Sequence, residues 1–492
     1  MSSSVDVVVI GAGLSGLSAA YTIVKENSSA NVVVLEATDN IGGPILSQTL
    51  RGANGEDVWD VGAGRIGTKQ KEIMGLIQEF GLETYPHYND GKKFWILTDG
   101  KIKKYSGNIP PLPYTSLVDM LRYFNKVDGL QGKVNVKDAT ATAKAEEWDN
   151  MTVEELKTKT LWTKGKKIKN LVIFLPFKQK GTIDIMTGLF FGGFRCDQLS
   201  VMQYLHLIAT CGSWNSHIAA EGTGKIDVRI KIDFSIAIIL SATILTLAQG
   251  GTRKLVDGLV SHIGQDKIIT GSKVNSIEHQ SNSAVVTTEA GKAYTAKCVI
   301  VACIPSANIN FNPPLSIPRV LPGSGFGVQF VITYKKSFWR EAGSCAEVMN
   351  TQGTMEMLQG KDDHPIVTLF DHTSPNDNPA LMGIFGANLA MDKSMEERKQ
   401  IALKFLKEIF ETDETQNFLD YKDIAWKPYD RYPPIESLKE TKPSEILSNM
   451  LKPEGVVHWA GARTGLAWAD CLNGAVEAGQ RSAKEVLKTH LN

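Results

Sequence analysis

The sequence predicts an α/β fold divided into at least two domains, one of them built on a parallel sheet. Three observations predict it. The chain has 492 residues, more than one hydrophobic core usually serves. Val5-Asp6-Val7-Val8-Val9-Ile10 is a largely β-branched run that reads as a strand buried on both faces. A glycine turn follows at Gly11, then small and apolar residues at helical spacing from Leu14 to Lys25, then a second apolar strand from Asn31 to Glu36. Together these make one βαβ unit.

The remaining elements follow in order. Apolar periodicity predicts helices over Lys71 to Phe80, Thr152 to Thr158, Arg253 to Ile263, Met395 to Phe410 and Gly474 to Lys488. A strand-rich region lies between Lys267 and Cys303, with Lys273 to His279, Ala284 to Thr288 and Cys298 to Ala302 as its strands. Proline-rich breaks at 110 to 113, 313 to 318 and 433 to 434 punctuate these elements. Two stretches rich in Ile and Lys, Lys164 to Lys180 and Lys225 to Leu247, interrupt otherwise readable segments. They read either as surface insertions or as retained intron sequence, since Gly222-Thr223-Gly224 would otherwise run almost directly into Gly250-Gly251.

Composition narrows the class. Apolar residues make up 42% and charged residues 22%, the profile of a soluble globular protein. The 53 basic and 53 acidic residues cancel, so no global field favours nucleic acid, and any partner must be recognised locally. The six cysteines form no CxxC pair and no metal-like Cys/His spacing. No metal is expected, and free thiols without a secretory signal point to a reducing compartment, the cytoplasm. The longest apolar stretch, Phe234 to Ala248, falls short of the ~20 residues that span a bilayer. With no hydrophobic tail after it, no transmembrane anchor is expected.

Gly11-Ala12-Gly13-Leu14-Ser15-Gly16 is GxGxxG between a buried strand and a helix, and Glu36 ends the second strand 20 residues after Gly16. Gly11 permits the turn, Gly13 lets a pyrophosphate approach the backbone, and Gly16 lets helix and strand pack closely. The helix N-terminus offers N–H groups and a positive dipole to phosphates. Glu36 is placed to accept hydrogen bonds from ribose hydroxyls. The fingerprint alone serves both NAD and FAD. The text that follows, Glu36-Ala37-Thr38-Asp39-Asn40-Ile41-Gly42-Gly43, is similar to the flavoprotein signature of an acid, a short spacer and a double glycine, which selects FAD.

From there the chain resembles the flavin-containing monoamine oxidases, a branch of the FAD-dependent amine oxidase family, at stations along nearly its whole length. Asp60-Val61-Gly62-Ala63-Gly64-Arg65-Ile66-Gly67 is similar to the segment beneath the flavin ring. Ala145 to Thr152, Phe311 to Leu315, Tyr334 to Trp339, His458 to Gly461 and Gly474 to Gly479 continue the likeness. The resemblance implies a Rossmann-like FAD domain discontinuous in sequence, from 1 to 84, 249 to 313 and 425 to 492, with an α+β substrate domain from 85 to 248 and 314 to 424. It implies cofactor contacts at Gly11, Gly13, Ser15, Gly16, Glu36, Gly42, Gly43, Gly62, Ala63, Gly64, Arg65, Gly461 and Arg463, and adenine against the backbone near Val274. Gly461 is expected to precede a helix directed at the flavin's pyrimidine edge. The implied reaction carries hydride from the carbon beside an amine nitrogen to flavin N5, giving an imine that water hydrolyses. O2 then reoxidises the flavin and forms hydrogen peroxide.

Several positions depart from the family pattern. Pro44 replaces the arginine after the double glycine, removing a cation and fixing φ. Gln329 stands at the lysine that holds a water against flavin N5, and Trp426 at a residue beside the flavin; these two are the catalytic candidates. The stretch Trp426 to Pro433 is too short for the segment bearing the covalent flavin cysteine, so noncovalent FAD is expected. Cys471 replaces a tyrosine of the substrate cage, and Arg463 a glutamate. Arg65 resembles the carboxylate-binding arginine of L-amino-acid oxidases, where a guanidinium grips a carboxylate through two hydrogen bonds; the alternative is that it pairs with a protein acid or the cofactor. Arg65 and Cys471 are the substrate-binding candidates, and the sequence carries three readings: an amine oxidase, an L-amino-acid oxidase using Arg65 for the carboxylate, and an FAD-binding protein that has lost turnover.

Overall fold

In the computed structural model the described residues are 3–107, 109–161, 183–184, 187, 194–211, 245–303, 309–316, 327–359, 361, 363–386, 390–426 and 441–491. The βαβ unit opens the chain: β1 Ser3–Ile10, α1 Leu14–Glu26 and β2 Val32–Leu35. Val7, Val8 and Val9 of β1 are fully buried, as a strand covered on both faces requires.

β1 sits between β2 and the strand Ala293–Val301, parallel to both. The full sheet has eight strands and draws Ile268–Ile269, Val274–His279, Ala284–Thr288, Asn310–Asn312 and Val457–Trp459 from distant parts of the sequence. The helix Leu472–His490 lies across α1, so closely that a Cβ on Gly479 would meet the Ser15 carbonyl at 2.3 Å. The helices Arg253–Ile263 and Met395–Phe410 fall on the bounds that periodicity predicts. Met395–Phe410 begins in a capping box of Ser394 and Glu397, which satisfies first-turn N–H groups. The strand expected at Cys298 starts earlier, at Ala293, where Thr295 and Lys297 alternate with the buried Tyr294 and Ala296 and break the apolar run.

A second, seven-stranded sheet runs Phe418–Ala425, Val328–Tyr334, Ala380–Phe385, Ile366–Asp371, Ser344–Asn350, Lys92–Ile96 and Ile102–Tyr105. It has its own core around Phe330, Phe385 and Trp339. None of its strands was anticipated. Their pairing is long-range, and Val328, Phe330, Val331 and Ile332 are all fully buried, so no polar alternation marks the strand. A third core joins the helices Tyr114–Gln131, Val153–Thr160 and Val201–Thr210. Tyr114–Gln131 follows Pro113 with no side-chain cap, which hides its start. The helix Pro443–Asn449, within the third expected FAD piece, packs into this helical core through Ile446 and Leu447.

Between the two sheets, the hairpin β3 Ser47–Gly52 and β4 Gly55–Asp60 packs Leu50 and Trp59 against Val331 and Met382 of the second sheet. It is followed by the short strand β5 Arg65–Gly67 and the helix α2 Lys71–Glu79. β5 pairs with the strand Leu245–Ala248, which also pairs with Thr84–Pro86. The last residues of the second inserted stretch, 245 to 247, thus belong to a strand held by backbone hydrogen bonds. The stretch 164–180, most of 225–247 and the prolines at 318, 433 and 434 lie outside the described residues.

Candidate functional site

The two glycine motifs meet. Gly42 N donates to the Ala12 carbonyl at 2.8 Å, and Gly13 and Gly42 form a β-bridge. A Cβ on Gly43 would lie 3.3 Å from Gly13 Cα. Each glycine of the fingerprint has its own reason. Gly11 holds φ +102, which only glycine adopts without strain. A Cβ on Gly16 would lie 1.9 Å from the Gly11 carbonyl oxygen, so helix and strand could not meet. Gly13 is different. Its φ is −71 and nothing lies within 4 Å of its would-be Cβ. The protein itself does not need a glycine there, and the space it leaves at the N-terminus of α1 would admit a pyrophosphate. That open cradle fits FAD.

Glu36 stands at the tip of β2. Its Oε2 accepts from Ala12 N at 2.8 Å and its Oε1 from Thr38 N and the Thr38 hydroxyl, both at 2.9 Å, which aims the carboxylate and leaves a lone pair on Oε2 for a ribose hydroxyl. Ser272 N donates to the Glu36 carbonyl at 2.7 Å, so the chain entering Val274 runs beside it. Val274 is 5% exposed and starts its strand there.

Gly62 N donates to the Leu46 carbonyl, and Ala63 N to the Pro44 carbonyl at 2.9 Å. A Cβ on Gly62 would meet the Pro44 oxygen at 2.3 Å and Trp426 Cζ2 at 3.2 Å. Pro44 is therefore accommodated, its carbonyl joining the double-glycine segment to the Gly62–Gly64 segment. Gly64 is needed because a Cβ would strike the Asp60 carboxylate at 2.4 Å. Gln329 Nε2 lies 3.0 Å from the Gly62 carbonyl and 3.3 Å from that of Asp60. Two carbonyl oxygens fix the amide's orientation, since its own oxygen could not face them. Its nitrogen is thereby committed to the backbone, leaving the amide oxygen as the atom with open lone pairs.

At the far end, Ser15 Oγ accepts from Gly461 N at 2.8 Å. The serine thus joins two expected segments while its hydroxyl proton is not spent on that bond. Gly461 (φ +102) leads only into a three-residue turn, Ala462–Thr464. The expected helix after Gly461 is corrected accordingly: the long helix begins at Leu472 with Cys471 as its N-cap. Arg463 Nε pairs with Asp470 Oδ1 at 3.0 Å. The cysteine is enclosed beside Cys211, and burial pushes its thiol well above the ordinary range. Trp468 and Asp470 hold left-handed backbone (φ +58 and +61) without being glycine, kept there by Trp468 N donating to the Thr210 carbonyl at 2.8 Å and Asp470 N to that of Ala462 at 3.0 Å. Such conformations cluster at functional sites.

Arg65 lies over the Phe370 ring at 4.3 Å. Among the described residues its guanidinium makes no hydrogen bond or ion pair. Burial draws it down to about 10, with the Glu347 carboxylate opposing. Glu347 is engaged elsewhere, 2.8 Å from Lys93 Nζ in a pair that is 9% and 3% exposed. Asp371 is likewise engaged, gripped by Arg340 through Nε at 2.6 Å and Nη2 at 2.8 Å and by Trp339 Nε1 at 2.6 Å. His87 and His372 complete this neighbourhood. Burial lowers both to about 4, aided at His87 by Arg65 and at His372 by His87 and Arg65, so both are neutral at physiological pH. A cavity of about 400 Å³ opens beside them, lined by Tyr85, His87, Tyr88, Arg340, Asp371 and Thr373 among others. Sequence reasoning missed His87, His372 and Asp371, because no motif marks residues that converge only through the second sheet.

No helix among the described residues is long and apolar enough to cross a membrane. Glu154, Asp184 and Cys196 form the one metal-like cluster among them, but the Lys157 ammonium bonds both carboxylates and fills the cation's place.

Comparison with known proteins agrees with this geometry. A family model described as flavin containing amine oxidoreductase matches residues 14–487. A probable flavin-containing monoamine oxidase A of Dictyostelium discoideum is 27% identical, covering 100% of this chain and 99% of its own. The flavin-containing amine oxidase B of Cavia porcellus is 30% identical, covering 99% of this chain and 87% of its own. Among solved structures, putrescine oxidase bound to putrescine superposes with a TM-score of 0.76 at 20% identity, covering 99% of this chain and 100% of that one. Cyclohexylamine oxidase from Brevibacterium oxydans superposes with a TM-score of 0.78 at 22% identity, with the same coverage. The open cradle at Gly13, the joined glycine segments and a family match across nearly the whole chain lead to one conclusion: this protein belongs to the flavin-containing amine oxidoreductases, enzymes whose cofactor is FAD.

Proposed function

We propose that this chain oxidises the CH–NH bond of a small amine to an imine, with noncovalent FAD as hydride acceptor and O2 as the oxidant that returns hydrogen peroxide. The carrying observation is the continuous cradle from Gly13 and Gly43, through Pro44, to Gly62 with Trp426 and Gln329 beside it. FAD supplies the electron-pair chemistry when bound. The protein's part is to hold it and to favour an uncharged amine in an enclosed pocket. Trp426 supplies a flat wall at Gly62, and the Gln329 oxygen is the acceptor for an ordered water. The FAD domain of this proposal comprises 1 to 84, 249 to 313 and 425 to 492. All six cysteines are free thiols, which supports a cytoplasmic location.

One observation favours a second reading, that the substrate also bears a carboxylate. Arg65 is a half-buried cation whose acidic neighbours are already paired. A buried, unpaired charge is costly, and a bidentate carboxylate would complete it.

Anaerobic addition of amines and amino acids to the purified yellow protein tests both. The account expects bleaching of the flavin band by at least one amine and peroxide on readmitting air. Bleaching by amino acids alone selects the second reading, and no bleaching by any of them refutes oxidation in favour of a flavin-binding protein without turnover.

A further inference from the structure

We infer that the turn entering the helix Arg253–Ile263 is a clip that sets the spacing of the FAD cradle, with Thr252 and Arg253 as positioning residues for the cofactor. The inference rests on the cradle described above and adds residues that lie outside both glycine motifs.

Three separated segments converge on this turn. Thr252 N lies 3.0 and 3.1 Å from the two carboxylate oxygens of Asp60. The Thr252 hydroxyl lies 3.0 Å from both Asp60 Oδ1 and the Ala63 carbonyl, and its single proton goes to one of them at a time. Ser47 Oγ donates to Asp60 Oδ1 at 2.5 Å and accepts from Arg253 N at 3.3 Å. Arg253 Nη1 reaches the Ile41 carbonyl at 2.7 Å, just before the double glycine, while its Nε holds Asp257 at 2.8 Å. Val256, one turn on, is the atom group a Cβ on Gly42 would meet, at 3.2 Å.

The arrangement is specific to its purpose. Thr252 is fully buried and Asp60 is 4% exposed, so these bonds are shielded from water. No side chain of its own turn caps this helix; Asp60, distant in sequence, takes that place with a negative charge at the positive end of the dipole. Gly250 and Gly251 hold φ +76 and +83, and a Cβ on Gly251 would strike Ser47 Oγ at 2.4 Å. The glycines thus let the turn press against the hairpin. One helix N-terminus thereby fixes Ile41, Ser47, Asp60 and Ala63 relative to one another, which is the spacing between the pyrophosphate side and the ring side of the cradle.

The test titrates FAD into flavin-free protein by calorimetry, with the visible circular dichroism of the bound flavin as a second readout. Arg253→Met keeps the aliphatic stem but loses the bond to Ile41, at a side chain that is 36% exposed, so the apoprotein melts as wild type. The clip predicts about tenfold weaker FAD and an altered flavin dichroism for Arg253→Met, with recovery in Arg253→Lys. Thr252→Val is expected to lose at least as much, and Thr252→Ser to retain wild-type binding. Wild-type affinity and dichroism in Arg253→Met overturn the clip while leaving the cradle intact. Failure of the wild-type protein to bind FAD overturns the cradle and the clip together.

Discussion

The two sides of the candidate site are held by different physics. On the side of the glycine motifs, backbone meets backbone: Gly42 N bonds the Ala12 carbonyl, Gly13 and Gly42 form a β-bridge, and one carboxylate, Glu36, accepts from Ala12 N. On the side of the cavity beside His87, buried charge does the holding: Lys93 with Glu347, Arg340 with Asp371, and Arg65 over Phe370. A backbone cradle tolerates few added atoms, with Gly13 the exception, but responds little to pH. A charged neighbourhood tolerates shape changes but responds to pH and to the charge of what enters it.

The largest effect that would break this contrast belongs to Gly16→Ala. Its Cβ would sit 1.9 Å from the Gly11 oxygen, so we expect loss of several kcal/mol of stability, on the order of the overpacking penalty, and no FAD retained after purification. A yellow, normally melting variant would mean that strand and helix can separate without consequence.

Next comes pH. His372 is 4% exposed and held near 4 by burial and by the neighbouring His87 and Arg65. A histidine depressed in the folded state contributes stability that is present above its ordinary value of about 6.5 and lost as pH falls toward 4, here about 3 kcal/mol. Asp60, raised to about 6 by burial, acts oppositely: its contribution is present below about 4 and lost as pH rises through 6. Urea unfolding of wild type and His372→Asn at pH 7.5 and 4.5 separates them. The variant's relative stability should improve by about 3 kcal/mol at the lower pH, and a pH-independent difference would remove His372 from the account.

Arg65→Gln follows. If a substrate carboxylate completes Arg65, kcat/KM for amino acids should fall by about 10- to 100-fold, the cost of a charge-assisted hydrogen-bond pair, against a change of less than threefold for simple amines. Equal losses would return Arg65 to a structural part.

The same contrast explains what could be read from sequence. The cradle is local: Gly11 to Gly16, Glu36 and Gly42-Gly43 lie within one βαβ unit and its exit, and their spacing alone reveals the motif. Helices with strong periodicity, such as Arg253–Ile263, were legible to the residue. The second sheet was not, because Val328–Tyr334 is buried throughout and its neighbours come from both directions along the chain. Nor were His87, His372 and Thr252, which acquire their surroundings only when strands far apart in sequence pair. Ser15 illustrates the limit: its position in the motif was evident, whereas its bond to Gly461 depends on a segment 446 residues away.

Gly13→Ala tests the central claim most directly. A Cβ there has open space and an ordinary φ of −71, so the apoprotein should melt within a degree or two of wild type. Calorimetric titration should nevertheless give tight FAD binding to wild type and binding weakened by at least about a hundredfold, roughly 3 kcal/mol, in the variant. Equal affinity in the two proteins would contradict a dinucleotide seated on this backbone.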